Sequence, residues 1–353
     1  TNNMAYTTIN KSTDYFNTVL YTGNYTDNHA ITGVGFQPDF LWLKERSSNS
    51  SNDLQDAVRG AGKDLYSDLD SAEETSIRVK SFTSDGFTLG QHNLSNQNGE
   101  TYVAWNWKAG TTSGINQDSA SITPTGYSFN QTAGFSIITY TGTGSAATVP
   151  HGLGVTPNLI LIKKRSGADN WTWKSDGGVT GYTGFTKYMY MNSSGVGVAT
   201  DSSNEFQHSP TSTKFSLGTN GGVNGNGATY VAYCFANKVG YSRVGGYVGN
   251  GNANGAFVNT GFRPRFVITH RLDSGDAWTI MDTKRDTYNV ANKRLFTHQN
   301  NAENTSLNVM DMVSNGFKFR TTDAAFNDTG GVYVYLAFGQ SLVGSNNIPS
   351  TAR

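Results

Sequence analysis

The sequence predicts an all-β fold of three tandem, mutually similar antiparallel β-sandwich domains, jelly-roll or lectin-like in type. Three observations predict it. The phrase "NGETYVAWNW" (98–107) returns as "NGATYVAYCF" (226–235) and as "TGGVYVYLAF" (329–338). Side chains alternate within each copy, with a bulky apolar set on one side: Val103, Trp105 and Trp107, then Val231, Tyr233 and Phe235, then Val334, Leu336 and Phe338. Period two with one consistently apolar side describes a strand laid on a core. The composition agrees: 41 glycines in 353 residues, 18 Tyr, 19 Phe and only 15% charged residues suit short strands and tight turns around aromatic interiors.

Each copy opens with a β-like run ending in an aromatic and a glycine: "NTVLYTGN" (17–24), "SIITYTGT" (136–143) and "RVGGYVGN" (243–250). Pro38, Pro157 and Pro264 stand 17 residues beyond Tyr21, Tyr140 and Tyr247. A strand follows each proline, where the missing N–H costs no ladder bond. The segment "LILI" (159–162) is apolar on both faces, which predicts a central, doubly covered strand. Next come "SFTSDGFTLG" (81–90), "SPTSTKFSLG" (209–218) and "DMVSNGFKFR" (311–320). Asp85-Gly86 and Asn315-Gly316 predict tight turns at positive φ, and Thr213-Lys214 in the second copy predicts a different turn. Leu89 and Leu217 precede Tyr102 and Tyr230 by 13 residues, and Phe319 precedes Tyr333 by 14. The one helical signal is a short turn near "SAEET", within residues 64–82.

These landmarks divide the chain. Residues 1–110 form the first repeat with an N-terminal segment, and Met4 reads as a natural start. Residues 111–134 form a polar connector with a short strand at "ASIT" or "GYSFN". Residues 135–240 and 241–340 form the second and third repeats, and 341–353 an extended C-terminal arm.

Charge excludes several function classes. The 26 basic and 26 acidic residues cancel, which removes the electrostatic footprint of a nucleic-acid binder. "KKR" (163–165) reads as a solvated strand end. The single cysteine, Cys234, reads as a small buried side chain and permits no internal disulfide. No apolar run is long enough to span a membrane, and no secretory signal opens the chain.

The six histidines make no HxH, HExxH or Cys/His cluster, so no metal or cofactor is expected. No GxSxG elbow or P-loop occurs, and "GTNGGVNGNG" (218–227) lacks the lysine of a phosphate loop. Glu73 with Glu74, Asp68 with Asp70, and Asp201 with Glu205 are the remaining carboxylate pairs. They would suit a sugar-cleaving cleft only at the right separation, and surface solvation is the simpler reading. "DSSNE" (201–205) offers oxygens to calcium without EF-hand spacing. Trp42, Trp105 and Trp107 fall on apolar strands and read as core. Trp171, Trp173 and Trp278 follow polar turns and are the candidate ligand-binding residues, although their recurrence also suits a scaffold.

"MAYTTINKSTDYFNTVLYTGN", "ITGVGFQPDFLWLKER", "DAVRG", "SFTSDGFTLG" and "NGETYVAWNWKAG" resemble repeat-containing virion proteins of tailed bacteriophages, especially marine ones. The resemblance covers residues 4–110 closely and the later copies in order, ending in "AFGQSLVGSNNIPSTAR". It implies a tail-fibre, tail-surface or capsid-surface component of the virion, assembled in the host cytoplasm. Other virion proteins are its implied partners, a homo-oligomer its implied state, and host glycan or protein its implied contact. It implies no catalytic residue, and the charge balance and the lack of a long apolar run predict no nucleic acid and no membrane insertion. The residues themselves also leave open a lectin-like carbohydrate-binding module and a virion-borne polysaccharide depolymerase.

Overall fold

Each recurring phrase becomes an inner strand of a large antiparallel sheet. The computed structural model describes residues 7–179, 182–185, 187–195, 199–200, 205–341 and 343. In the first copy the sheet order is Phe16–Thr22, Thr101–Trp107, Phe40–Glu45, Asp53–Asp56, Lys63–Tyr66, Glu74–Thr75. The second copy repeats it with Phe135–Thr141, Thr229–Phe235, Leu159–Lys164, Thr172–Ser175, Lys187–Tyr190 and Ala199–Thr200. There the connector adds an edge strand of its own, Gly126–Asn130. The third copy uses Ser242–Val248, Val332–Ser341, Phe262–Arg271, Thr279–Asp282 and Leu295–Phe296. The fold is all-β with several antiparallel sheets.

A smaller sheet covers one face of each large one. In copy one it is His29–Ile31, Gly86–Leu89 and Val79–Thr83, and in copy three Phe257–Asn259, Gly316–Phe319 and Met310–Val313. Among the described residues copy two pairs only Ala147–Pro150 with Lys214–Leu217. This follows from its different turn, where Thr211 rather than an Asx-Gly hairpin receives the chain. Gly316 does not adopt positive φ. Its need, shared with Gly86, is close approach: an added Cβ would lie 2.0 Å from the Val258 carbonyl oxygen, and at Gly86 1.9 Å from that of Ile31.

The landmark tyrosines are cross-strand partners. Tyr21 stacks on Tyr102, Tyr140 on Tyr230 and Tyr247 on Tyr333, with centroids 4.9, 5.1 and 4.7 Å apart. Each pair clamps a one-turn helix: Asn93–Asn96, Gly221–Asn224 and Ala324–Asn327. The first hydroxyl of each pair donates to a carbonyl inside that turn, Ser95, Val223 or Phe326. The turn closes on a fully buried asparagine. Asn224 accepts from the Thr143 N–H at 2.8 Å and donates to the Gly218 carbonyl at 2.6 Å; Asn96 and Asn327 do the same in their copies. The expected helix near "SAEET" is absent: Glu74–Thr75 pairs with Lys63 and Asp64 as a strand, because arginines hold Glu73 and Tyr66 holds Glu74.

Burial separates the two faces of the large sheets. The mixed face packs on its own small sheet, giving three local clusters around Tyr102 and Ala104, Tyr230 and Ala232, and Tyr333 and Tyr335. The bulky aromatic face was expected to fill each copy's own interior. It instead enters one cluster shared by all three copies, joining Trp105, Trp107, Tyr233, Phe235, Leu336 and Phe338. A doubly covered sheet removes both faces from water, so the larger side chains went to the wider surface, between copies. Trp42, Trp105 and Trp107 are core residues, but of this common centre.

Candidate functional site

The three copies close a ring, and buried ion pairs and hydrogen bonds cross its seams. At the seam of copies one and two, Arg59 Nε donates to Asp56 Oδ2 at 2.5 Å, and neither side chain is exposed. The Tyr233 hydroxyl of copy two donates to the same Asp56 oxygen at 2.7 Å. Glu73 accepts from Arg59 at 3.1 Å and, bidentately, from Arg165 of copy two at 2.8 and 2.9 Å. Burial pushes the Glu73 carboxyl up, but its Arg165 hydrogen bonds and the Arg59 charge outweigh this and hold it below the usual range.

The seam of copies three and one repeats the device. Arg285 Nε binds Asp282 at 2.5 Å, Trp105 Nε1 of copy one donates to Asp282 at 3.0 Å, and Glu303 takes Arg285 and, bidentately, Arg46 of copy one. Glu303 is likewise held low by Arg46 and Arg285 against the rise from burial. Lys44 and Lys163 complete each set, donating to the carbonyls of Asn300 and Asp70 on the adjoining copy.

The seam of copies two and three is neutral. Strand register puts Ser175 where the other copies have Asp56 and Asp282, and Leu336 where they have Trp105 and Tyr233. Leu272 follows Arg271 where Arg46 and Arg165 stand in the other copies. Ser175 bonds Tyr182 and Trp173, and Trp173 packs on Trp278 at 4.9 Å. Charge on one side was removed together with its partner on the other, which avoids a buried unpaired ion.

The sequence-predicted residues fall in this interior. Trp171, Trp173 and Trp278 are 0%, 1% and 0% exposed, so no ring face is open for a sugar to stack on. Trp171 Nε1 donates to the Tyr66 carbonyl of copy one at 2.7 Å, and Trp278 stacks on His270 at 4.0 Å. The polar turns before them do not expose the rings: the turn before Trp171 bonds copy one through the Asp169 N–H and the Asp70 carbonyl, while the turn before Trp278 stays at the surface, where Asp273 binds Arg271 of its own copy, and the ring beside it is buried. Glu73 serves the seam, Glu74 binds Tyr66, Asp68 accepts from the Asn52 N–H, and the Asp70 carbonyl binds Lys163. Asp201 and the first four residues of "DSSNE" lie outside the described residues, as do Met4 and the C-terminal arm apart from Ser341 and Val343; Glu205 is buried.

"KKR" is not a solvated strand end. Lys163 is wholly buried and Arg165 is paired, because the strand end meets another copy. Cys234 is buried, and burial pushes its thiol up to about 12. Among the described residues no group of His, Cys, Asp and Glu could hold a metal ion, and no helix is long and apolar enough to cross a membrane.

Three further recurrences in the sequence mark these contacts. Asn96, Asn224 and Asn327 each stand six residues before Tyr102, Tyr230 and Tyr333. Asp56-x-x-Arg59 recurs as Asp282-x-x-Arg285, and "AEETS" (72–76) recurs as "AENTS" (302–306).

Clefts open at the outer rim of the seams. Where copy one meets the connector, Asp39, Val58, Lys108, Thr112 and Tyr127 line a cleft of about 740 Å³. Asp39 there accepts from the Ala109 N–H at 2.8 Å, and burial raises its carboxyl. A smaller cleft of about 240 Å³ lies at the rim between copies three and one. Such clefts supply hydrogen-bonding surface for a ligand or partner.

The model of a family described as a domain of unknown function (DUF7483) matches residues 11–341, across all three copies. No curated protein matches the chain.

Proposed function

The chain belongs to the DUF7483 family, and we propose that it is a structural component of a tailed-phage virion, a tail-fibre, tail-surface or capsid-surface part that meets the host through its loops. The observation that carries this reading is the common core. One chain wraps three similar two-sheet units, read here as jelly-roll or lectin-like sandwiches, around a single aromatic centre. Of the acids that sequence suggested for catalysis, Glu73 is held by Arg59 and Arg165 across a seam instead. That is the economy of a rigid, non-catalytic part. The resemblance of residues 4–110 to virion proteins supports the same reading, with other virion proteins and further copies of this chain as partners.

The test is proteomic and then visual. Mass spectrometry of gradient-purified particles should find the protein at a fixed copy number, and electron microscopy should find three-lobed density at the tail or capsid surface. Absence from purified particles overturns the reading.

A further inference from the structure

The larger rim cleft has two walls. Copy one supplies Gln37, Asp39, Val58 and Lys108, and the connector strand Gly126–Asn130 supplies Tyr127 and Ser128. The walls are fixed to each other. Thr111 and Phe129 exchange backbone hydrogen bonds at 3.0 Å, the Gly110 N–H donates to Ser128 Oγ at 2.8 Å, and the Asn130 amide donates to the Ala109 carbonyl at 3.2 Å. Gly126 approaches so closely that an added Cβ would stand 3.0 Å from Val58 Cγ1. The shape of the cleft is thus set by the fold.

The internal repeat shows what the scaffold needs at Asp39. The Asp39 N–H donates to the Trp107 carbonyl at 3.0 Å, as the Asn158 N–H does to the Phe235 carbonyl at 2.7 Å in copy two. Their side chains do the same work. Asp39 Oδ2 accepts from the Ala109 N–H at 2.8 Å, and Asn158 Oδ1 accepts from the Asn237 N–H at 2.8 Å. A neutral amide therefore meets the structural need. A carboxylate is the costlier choice, because Asp39 is 6% exposed and burial raises its pKa by penalising the charge. The Ser128 hydroxyl reaches the other oxygen, Oδ1, at 3.4 Å, longer than the roughly 2.7 Å usual for such a bond. Oδ1 thus keeps capacity to accept from a ligand.

The remaining groups select the ligand. Lys108 lines the same wall as Asp39, so any ion meets one attractive and one repulsive charge, and a neutral molecule meets no such conflict. Gln37 and Thr112, both exposed, bring amide and hydroxyl groups. Tyr127, half-buried and packed on the copy-two cluster, forms an apolar strip with Val58 and Pro124. We propose that this cleft binds a neutral oligosaccharide, with Asp39 accepting hydrogen bonds from sugar hydroxyls and Tyr127 lying against the apolar face of a sugar ring. Bonds from hydroxyls to a carboxylate are charge-assisted and repay the buried charge. The volume, about 740 Å³, suits a short oligosaccharide. The site goes beyond the virion reading and does not rest on it, since binding is read on the purified chain wherever the protein works.

The experiment is calorimetric titration of the full chain. Its probes are neutral trisaccharides of glucose, galactose, mannose and xylose, a uronic-acid trisaccharide, and glycine as a zwitterion. Saturable binding of at least one neutral trisaccharide is expected, little changed by added salt. Asp39→Asn keeps the bond that Asn158 makes, so it should unfold at the parent's temperature and weaken binding about tenfold or more. Gln37→Ala, at an exposed position, should weaken binding about threefold or more. Lys318→Gln, on the small sheet of copy three, should leave affinity unchanged. Three results overturn the proposal: no neutral trisaccharide saturates, the uronic-acid probe or glycine binds more tightly, or Asp39→Asn binds as the parent does. Should Asp39→Asn fail to fold, undiminished affinity in Gln37→Ala overturns it instead.

Discussion

Trp105 of copy one donates its indole N–H to the carboxylate of Asp282 in copy three at 3.0 Å, so the largest side chain of one repeat is held by the charge of another. The equivalent bond at the next seam runs from Tyr233 to Asp56. These anions are also paired with Arg285 and Arg59 in full burial. Removing one partner strands the other. Arg59→Met should therefore lower unfolding stability by about 3 to 5 kcal/mol. The double variant Asp56→Asn with Arg59→Met should lose clearly less, because it imitates the neutral seam of copies two and three. Urea unfolding of the single and double variants reads both values.

Asn224 ties the Thr143 N–H to the Gly218 carbonyl and shares the Ser145 carbonyl with the Thr143 hydroxyl. Asn224→Leu leaves the Thr143 N–H and the Ser145 and Gly218 carbonyls without it, and should cost about 3 kcal/mol. Asn96→Leu and Asn327→Leu should cost similar amounts. Hydrogen exchange gives the local check: the amides of Asn24, Thr143 and Asn250 should each lose protection in the matching variant only.

Burial lowers the Lys44 and Lys163 ammonium groups to about 8, with nearby carboxylates offsetting part of the fall. A depressed basic group is protonated more in the unfolded chain than in the folded one, so stability rises with pH between the two values. Buried tyrosines are shifted up and reverse the trend above their ordinary 10.0. The expected rise thus spans pH 8 to 10 and amounts to up to about 2 kcal/mol per lysine. It should vanish in Lys44→Met with Lys163→Met, and denaturant titrations across that range will show it.

Trp278 lies between His270 and Trp173 with no exposed surface. Trp278→Ala should cost about 3 to 5 kcal/mol by opening a cavity in the common core. Trp278→Phe should cost less. Thermal unfolding of the two variants provides the measurement.

The strands, the threefold repetition and the aromatic side of each closing strand were legible in the sequence because alternation and spacing are local properties of a chain. Tyr21, Tyr140 and Tyr247 were visible as landmarks for the same reason. Their stacking on Tyr102, Tyr230 and Tyr333 needed the pairing register. The buried asparagines were legible in principle, six residues before each of those tyrosines, since that hydrogen-bonded turn is also local.

Which surface each aromatic face would meet was not legible. Both faces of Thr101–Trp107 are buried, and a period-two pattern reports burial without saying against what. Trp105 and Asp282 lie 177 residues apart, and only closure of the ring brings them together. Trp171, Trp173 and Trp278 looked exposed because a polar turn reports its own hydration and not the burial of the ring beside it. The sequence by itself determined three like β units with apolar sides. Tertiary structure alone decided that those sides share one centre, because hydrophobic burial is non-directional and its partner is chosen by the geometry of closure.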